Sequence, residues 1–161
     1  MSILLESHKQ IVEFLIKFEV KFLVIGGYAV NIYGYSRTTG DIDIWLEPTS
    51  LNQKNFLKML KELKFQSESI QTVSELDFSL PNAFHIGEKP LKVDFLTKIA
   101  GLEFHDSFVH KNIIPLDRFD LPVLSLNDLI ISKSVTGRLR DQNDIEELQK
   151  VQKLIKRNKK S

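Results

Sequence analysis

Residues 22–46 read FLVIGGYAVNIYGYSRTTGDIDIWL, and they carry the clearest pattern in the chain. Four apolar residues at 22–25 run directly into Gly26-Gly27, which is typical of a buried strand that enters a tight turn. A short helix is expected next, from Tyr28 to Tyr33, before the stretch closes on a strand with two aspartates, Asp41 and Asp43. Because strand side chains alternate between faces, we expect both carboxylates on the same face of that strand.

Two neighbouring carboxylates on a half-buried strand repel each other unless a cation lies between them. A second strand, 91–96, carries Asp94 on the face that Lys92 and Leu96 share. Oxygen ligands suit a hard divalent ion, since Mg²⁺ takes one or two carboxylates and completes its shell with water and phosphate. The three aspartates therefore indicate a site for two metal ions, and the alternative is a set of unrelated aspartates at strand ends.

The Gly26-Gly27 pair has two possible explanations. A strand that ends in glycine and opens a helix leaves backbone N–H groups free to meet an anion. The alternative is a tight turn that binds nothing. Neither a dinucleotide-binding glycine pattern nor a P-loop is present.

Composition excludes several classes of protein. The chain has 161 residues, of which 42% are hydrophobic and 27% charged, as in an ordinary globular protein. We expect a single domain over residues 1–161 and a cytoplasmic location. The absence of cysteine excludes disulfides and thiolate metal sites, and no stretch is apolar enough to cross a membrane. A net charge of +1 gives no global attraction to nucleic acid.

The order of the remaining patterns indicates an α/β or α+β fold, with a mixed β-sheet flanked by helices. We expect helices over about 51–63 and 126–136, the latter ending near Gly137, and a last helix from about Asp141. Apolar residues at 73, 76 and 78, and then at 84 and 86, suggest short strands. The segment 101–124 predicts a short helix and two brief edge strands.

An apolar strand, two glycines, a gap at 28–40 and Asp-Ile-Asp-Ile together resemble the signature of the nucleotidyltransferase superfamily that shares the DNA polymerase β-like core. The run from Arg37 to Asp41 looks like the Arg-x-Thr-x-Asp-x-Asp variant of a minimal bacterial branch, which includes toxins of toxin–antitoxin and abortive-infection systems. The Lys-Val-Asp-Phe run around Asp94 fits the third carboxylate strand of the family. The resemblance implies a nucleotidyltransferase fold with C-terminal helices.

The resemblance also implies roles for individual residues. Asp41, Asp43 and Asp94 would be the metal ligands and catalytic carboxylates, and Asp94 would help to deprotonate an acceptor hydroxyl. The triphosphate would contact a second set of residues: Gly26, Gly27, Arg37, Thr39 and Lys133. Many family members have serine where this chain has Gly27, so only a backbone contact remains there.

Lys133 lies on the apolar face of its predicted helix, where a lysine is costly unless it reaches an anion. Related members carry a lysine there that meets the triphosphate, and the alternative is a side chain that extends to solvent. Arg138, Arg140, Asp141 and Asp144 resemble the run that opens the last helix of this branch. Asp141 is expected to act as an N-cap and Asp144 to lie in the first turn, with a possible role in positioning Lys133.

The resulting hypothesis is a Mg²⁺-dependent nucleotidyltransferase with two metal ions, for which Mn²⁺ could substitute. It would move a nucleoside monophosphate from an NTP to an acceptor hydroxyl on tRNA, a protein or a small molecule, and release pyrophosphate. A homodimer or a cognate antitoxin are the expected partners, and the basic C-terminal tail could contact RNA. The alternatives are a non-catalytic NTP-binding or regulatory member and a plain interaction domain. The four histidines show no metal-ligand spacing and are expected to serve packing or the surface.

Overall fold

The computed structural model describes residues 6–34, 41–88 and 92–160. Within these ranges the chain forms a six-stranded sheet and seven helices. The helices are α1 (Glu6–Lys17), α2 (Gly26–Ile32), α3 (Ser50–Glu62), α4 (Ser67–Ser74), α5 (Phe104–Val109), α6 (Leu126–Thr136) and α7 (Leu139–Lys160). The strands are β1 (Phe22–Ile25), β2 (Ile42–Leu46), β3 (Ala83–Ile86), β4 (Val93–Leu96), β5 (Asn112–Pro115) and β6 (Asp120–Val123).

The sheet is mixed, with the strand order β3-β4-β2-β1-β6-β5. Strand β2 runs antiparallel to β1 and parallel to β4, while β1 and β6 are parallel. The two outer pairs, β3–β4 and β5–β6, are antiparallel hairpin-like pairs. This arrangement confirms the expected mixed sheet flanked by helices.

Both faces of the sheet are covered by aromatic packing. On one face Phe56 of α3 meets Phe95 with ring centroids 4.9 Å apart, and Phe84 also packs there. On the opposite face Trp45 meets Phe104 of α5 at 5.1 Å, and its indole N–H donates to the Thr97 carbonyl at 3.2 Å. The centre of the sheet is therefore closely packed on both faces, and this packing positions the residues at the strand ends.

Two sequence predictions for the sheet are wrong. Val73 lies in helix α4, and its burial against α3 explains the apolar spacing that suggested a strand; Gln53 of α3 donates to the Val73 carbonyl at 2.9 Å. Strand β6 is not an edge strand, because it lies between β1 and β5 and pairs with β1 at Val24 and Val123. Pro122 is tolerated inside the sheet since β6 is bonded to β1 over a single residue pair.

The helix boundaries mostly agree with the sequence. Helix α6 ends where predicted, with Gly137 in the left-handed conformation at φ 68°. Helix α3 begins at Ser50, and the Thr49 side chain caps it by accepting from the Asn52 N–H. Helix α7 begins at Leu139 rather than Asp141. No helix in the described part of the chain is long and apolar enough to span a membrane.

Candidate active site

One row of paired residues across the sheet defines the site. Asp43 on β2 lies opposite Ile25 on β1 and opposite Asp94 on β4, and Asp94 lies opposite His85 on β3. Residues that face each other across strands point their side chains to the same side of the sheet. The predicted strand pattern thus brings Asp43 and Asp94 together, on the face that Trp45 shares.

Gly26 directly follows Ile25 at the end of β1 and lies beside Asp43. It has a φ of +68°, and a Cβ atom built there would lie 2.2 Å from the Asp43 carboxylate oxygen Oδ2. Only glycine allows this approach of backbone to carboxylate. Gly27 follows, buried in the first turn of α2, whose N-terminus receives no side-chain cap from the described residues.

Asp43 is the electrostatically strained member of the row. Burial, with the nearby negative charges of Asp94 and Asp41, raises its pKa from 3.8 to about 6, although Lys133 and Lys92 pull it downward. A carboxyl with a pKa this high is stabilised as an anion once a cation arrives. The sequence prediction that the aspartates need a cation is consistent with this shift.

A lysine supplies part of that charge. The Lys92 ammonium lies 3.6 Å from a carboxylate oxygen of Asp41 and 3.6 Å from one of Asp94. Asp41 therefore sits at the edge of the row, joined to Asp94 through Lys92. Among the residues that the structure describes, no three acidic or histidine side chains already have the spacing of metal ligands. The donor chemistry of Asp43 and Asp94 nevertheless fits Mg²⁺, which needs only one or two carboxylates beside water and phosphate.

Helices α6 and α7 contribute a second cluster. The buried ammonium of Lys133 lies 3.2 Å from Asp141 Oδ1 and 2.9 Å from Asp144 Oδ2. Arg138 Nε donates to Asp141 Oδ2 at 2.6 Å, and the Thr136 hydroxyl donates to the same oxygen.

This cluster excludes the alternative for Lys133 and corrects the prediction for Asp141. Lys133 does not extend to solvent, and Asp141 is not an N-cap but the acceptor for Lys133, Arg138 and Thr136. Burial would raise the pKa of Asp141, but the hydrogen bonds from Thr136, Arg138 and Lys133 outweigh it and lower that pKa to about 2. The suggested positioning role of Asp144 matches its ion pair with Lys133.

Two cavities meet at Asp43. The first, of about 290 Å³, has a polar side made of Gly26, Asp43, Lys133 and Arg138. Its apolar wall consists of Leu96, Ile99 and Leu129. A lining that combines the cations Lys133 and Arg138 with apolar side chains suits a phosphorylated ligand with an apolar ring.

The second cavity, of about 340 Å³, is also lined by Asp43. It is lined by Asp94, His85, Ala83 and Leu96 as well as Asp43. Asp43 is thus the point at which two separate ligands could be brought into contact.

The structure unites Gly26, Asp43, Asp94 and Lys133 around these cavities, with Gly27 adjacent and Asp41 at the edge. Arg37 and Thr39 lie outside the described residues. Sequence analysis missed His85, since its place beside Asp94 depends on strand pairing that no local pattern reveals.

Comparison with known proteins gives a family match and a similar fold. Residues 4–161 match the model of a family described as nucleotidyl transferase of unknown function. A search of curated proteins finds no match. The fold is similar to the crystal structure of the lincosamide antibiotic adenylyltransferase LnuA with lincomycin bound, with a TM-score of 0.58 and 12% identity. That similarity covers 91% of this chain and 96% of the LnuA chain, and at this identity it shows the fold alone.

Proposed function

The chain belongs to this nucleotidyl transferase family, and from that premise we propose that it transfers a nucleoside monophosphate from an NTP to an acceptor hydroxyl, with release of pyrophosphate. The observation that carries the proposal is the meeting of Gly26, Asp43 and Lys133 in one cavity. Glycine backbone and cations line the side where a triphosphate would lie, and the carboxylate row stands at the side where the reaction would occur.

Metal ions belong to this proposal. Asp43 and Asp94, with Asp41 at the edge, would hold two Mg²⁺ ions, or Mn²⁺ in their place. When bound, such ions neutralise the phosphate oxygens and orient the groups for in-line displacement. The raised pKa of Asp43 supports this assignment, because a buried carboxylate among other carboxylates is stable only with a cation nearby.

The chain's own side chains would then place the nucleotide. Lys133 has three N–H donors; one bonds Asp141 and the ammonium is also ion-paired with Asp144, so at least one donor remains for a phosphate oxygen in the first cavity. Arg138, whose side chain is 71% exposed, can turn from Asp141 toward the leaving pyrophosphate. The apolar wall of the cavity would pack against the base.

The acceptor would enter through the second cavity, which Asp94 lines beside Asp43 and Lys133 does not line. Its hydroxyl proton would pass to Asp94 while its oxygen bonds to the α-phosphorus. The bond from that phosphorus to the bridging oxygen then breaks, and pyrophosphate leaves.

Two similarities to other proteins suggest candidate acceptors. LnuA is a lincosamide antibiotic adenylyltransferase with lincomycin bound, which makes ATP and lincomycin one pair to test. The resemblance to toxin-like enzymes makes tRNA or a protein the other, with a cognate antitoxin or a second copy as a partner. Free NTP and Mg²⁺ are abundant in the cytoplasm, which is the proposed location.

The experiment incubates the protein with Mg²⁺, each α-labelled NTP, and lincomycin, total tRNA or cell lysate. Label is expected to move to one acceptor class, and Asp43→Asn is expected to abolish the transfer. Asp117→Asn, an exposed aspartate in a loop between β5 and β6, is the matched control and should transfer normally.

Two other outcomes of this experiment would favour the regulator or refute both proposals. NTP binding without transfer, unchanged by Asp43→Asn, would favour a non-catalytic, NTP-binding regulator, an alternative that Gly27 supports because it lacks the hydroxyl found in many relatives. No NTP binding by calorimetry in the presence of Mg²⁺ would refute both the enzyme and the regulator.

A further inference from the structure

Lys92 faces the acidic row because of strand pairing. It comes just before β4 and lies two residues from Asp94, so both side chains take the same face. Asp41 comes just before β2, and the neighbouring pair Ile42–Val93 sets the starts of the two parallel strands side by side. The ammonium of Lys92 is thereby placed between two carboxylates, 3.6 Å from each.

Lys92 and Lys133, the two ammonium groups beside Asp43, are held very differently. Lys133 is 9% exposed in its side chain, and its two carboxylate contacts are 2.9 and 3.2 Å long. Lys92 is 29% exposed, and both of its contacts are longer than a hydrogen bond between ammonium and carboxylate. Partly exposed pairs of this length contribute less and exchange more readily than a buried pair, which is costly to break.

We propose that the Lys92 ammonium is a built-in cation of the acidic site: it occupies a cation-binding position between Asp41 and Asp94, and a divalent ion displaces it from there. This inference rests on the metal assignment of the proposed function. It explains why Asp41, Asp43 and Asp94 lack the spacing of metal ligands in the described chain, since Asp41 and Asp94 are instead arranged around an ammonium group.

The position has a consequence for metal affinity. Before a divalent ion can contact Asp41 and Asp94, two ion pairs must break and the ammonium must move away. Removing the ammonium should therefore tighten metal binding. The same change removes the positive charge that offsets the repulsion between the two carboxylates. Lys92 would set the metal concentration at which the site fills.

The test measures Mn²⁺ binding by electron paramagnetic resonance, with no nucleotide and no acceptor, in wild type, Lys92→Met and Lys92→Arg. Lys92→Met is expected to bind Mn²⁺ roughly three- to tenfold more tightly than wild type, as expected when two exposed ion pairs no longer compete. Lys92→Arg retains the charge and should bind no more tightly than wild type. Lys58→Met removes one positive charge from α3 on the opposite face of the sheet and should leave the affinity unchanged.

Unchanged or weaker Mn²⁺ binding in Lys92→Met would overturn the proposal, because Lys92 would then organise the metal ligands rather than compete with the metal. Absence of Mn²⁺ binding in both wild type and Lys92→Met would overturn it too. Tighter binding in Lys92→Met supports it even if no acceptor accepts label, so its outcome is separate from that of the transfer assay.

A second measurement uses the wild-type protein and does not depend on variants that fold. Amine-reactive labelling followed by mass spectrometry is carried out with and without Mn²⁺. Labelling of Lys92 is expected to increase severalfold when Mn²⁺ is added, while that of Lys58 stays constant. If a saturating concentration of Mn²⁺ leaves the labelling of Lys92 unchanged, displacement of Lys92 by the metal is contradicted.

Discussion

Asp43→Asn is expected to stabilise the metal-free protein while it removes activity. The folded protein holds a proton on Asp43 up to a pH of about 6, compared with 3.8 for the ordinary group. The unfolded chain therefore loses this proton first as the pH rises. The free energy of unfolding therefore falls as the pH rises from 3.8 to about 6, and the full loss is present above pH 6.

The size of the effect follows from the shift. Each pKa unit corresponds to about 1.4 kcal/mol, so a shift from 3.8 to about 6 sets an upper value of about 3 kcal/mol at pH 8. Because Asp43 is half-buried and solvent screens part of its interaction, we expect a gain of about 1–3 kcal/mol in the free energy of unfolding for the asparagine variant.

Urea unfolding at pH 8 and at pH 4 measures this gain. At pH 4 the folded carboxyl is already protonated, so the two proteins should differ far less than at pH 8. Asp117→Asn should match wild type at both values. Excess Mg²⁺ should stabilise wild type alone and narrow the difference, since a ligand of the folded state adds its binding free energy. An asparagine variant that is no more stable at pH 8, or equally more stable at both pH values, would refute the account of Asp43 as a strained carboxylate.

Three other substitutions test the surroundings of Asp43. Lys133→Met should destabilise the protein by about 3 kcal/mol or more in urea unfolding, because it removes the buried ammonium that contacts both Asp141 and Asp144, while Asp141 keeps its contact with the exposed Arg138. Gly26→Ala should destabilise more than Gly34→Ala: both glycines have positive φ, but only at Gly26 would the new Cβ strike the Asp43 carboxylate, and Gly34 is open. Equal losses would show that the contact does not matter. Ala83→Trp should block transfer to the acceptor and leave Mg²⁺–NTP affinity unchanged by calorimetry; a loss of NTP affinity would place the nucleotide in the second cavity.

Local patterns predict the parts of the site that lie close together in sequence. The strand before Gly26, the alternation around Asp43 and the end of α6 at Gly137 each depend on a few neighbouring residues, and the structure contains all three. The environment of Lys133 is predictable only in part. Its apolar helix face predicts burial, but not the ion pairs with Asp141 and Asp144, which lie beyond the turn at Gly137.

The parts that sequence analysis missed depend on pairing between distant residues. Strand β6 joins β1 about a hundred residues earlier in the chain, so its inner position has no local signature. His85 meets Asp94 only because β3 pairs antiparallel with β4. The prediction of a strand at Val73 is wrong for another reason. One buried apolar residue per turn of a short helix gives the same sequence pattern as a residue in a brief strand.

The balance of charge around the two cavities determines how a nucleotide can enter. Five carboxylates surround three cationic side chains there: Asp41, Asp43, Asp94, Asp141 and Asp144 against Lys92, Lys133 and Arg138. Two of the carboxylates are committed to Lys133, which leaves the row around Asp43 with more negative than positive charge. A bare triphosphate would meet repulsion at the place where its α-phosphate must lie. On the proposed function we therefore expect the nucleotide to bind together with divalent ions, and calorimetry with EDTA in place of Mg²⁺ is expected to show no NTP binding.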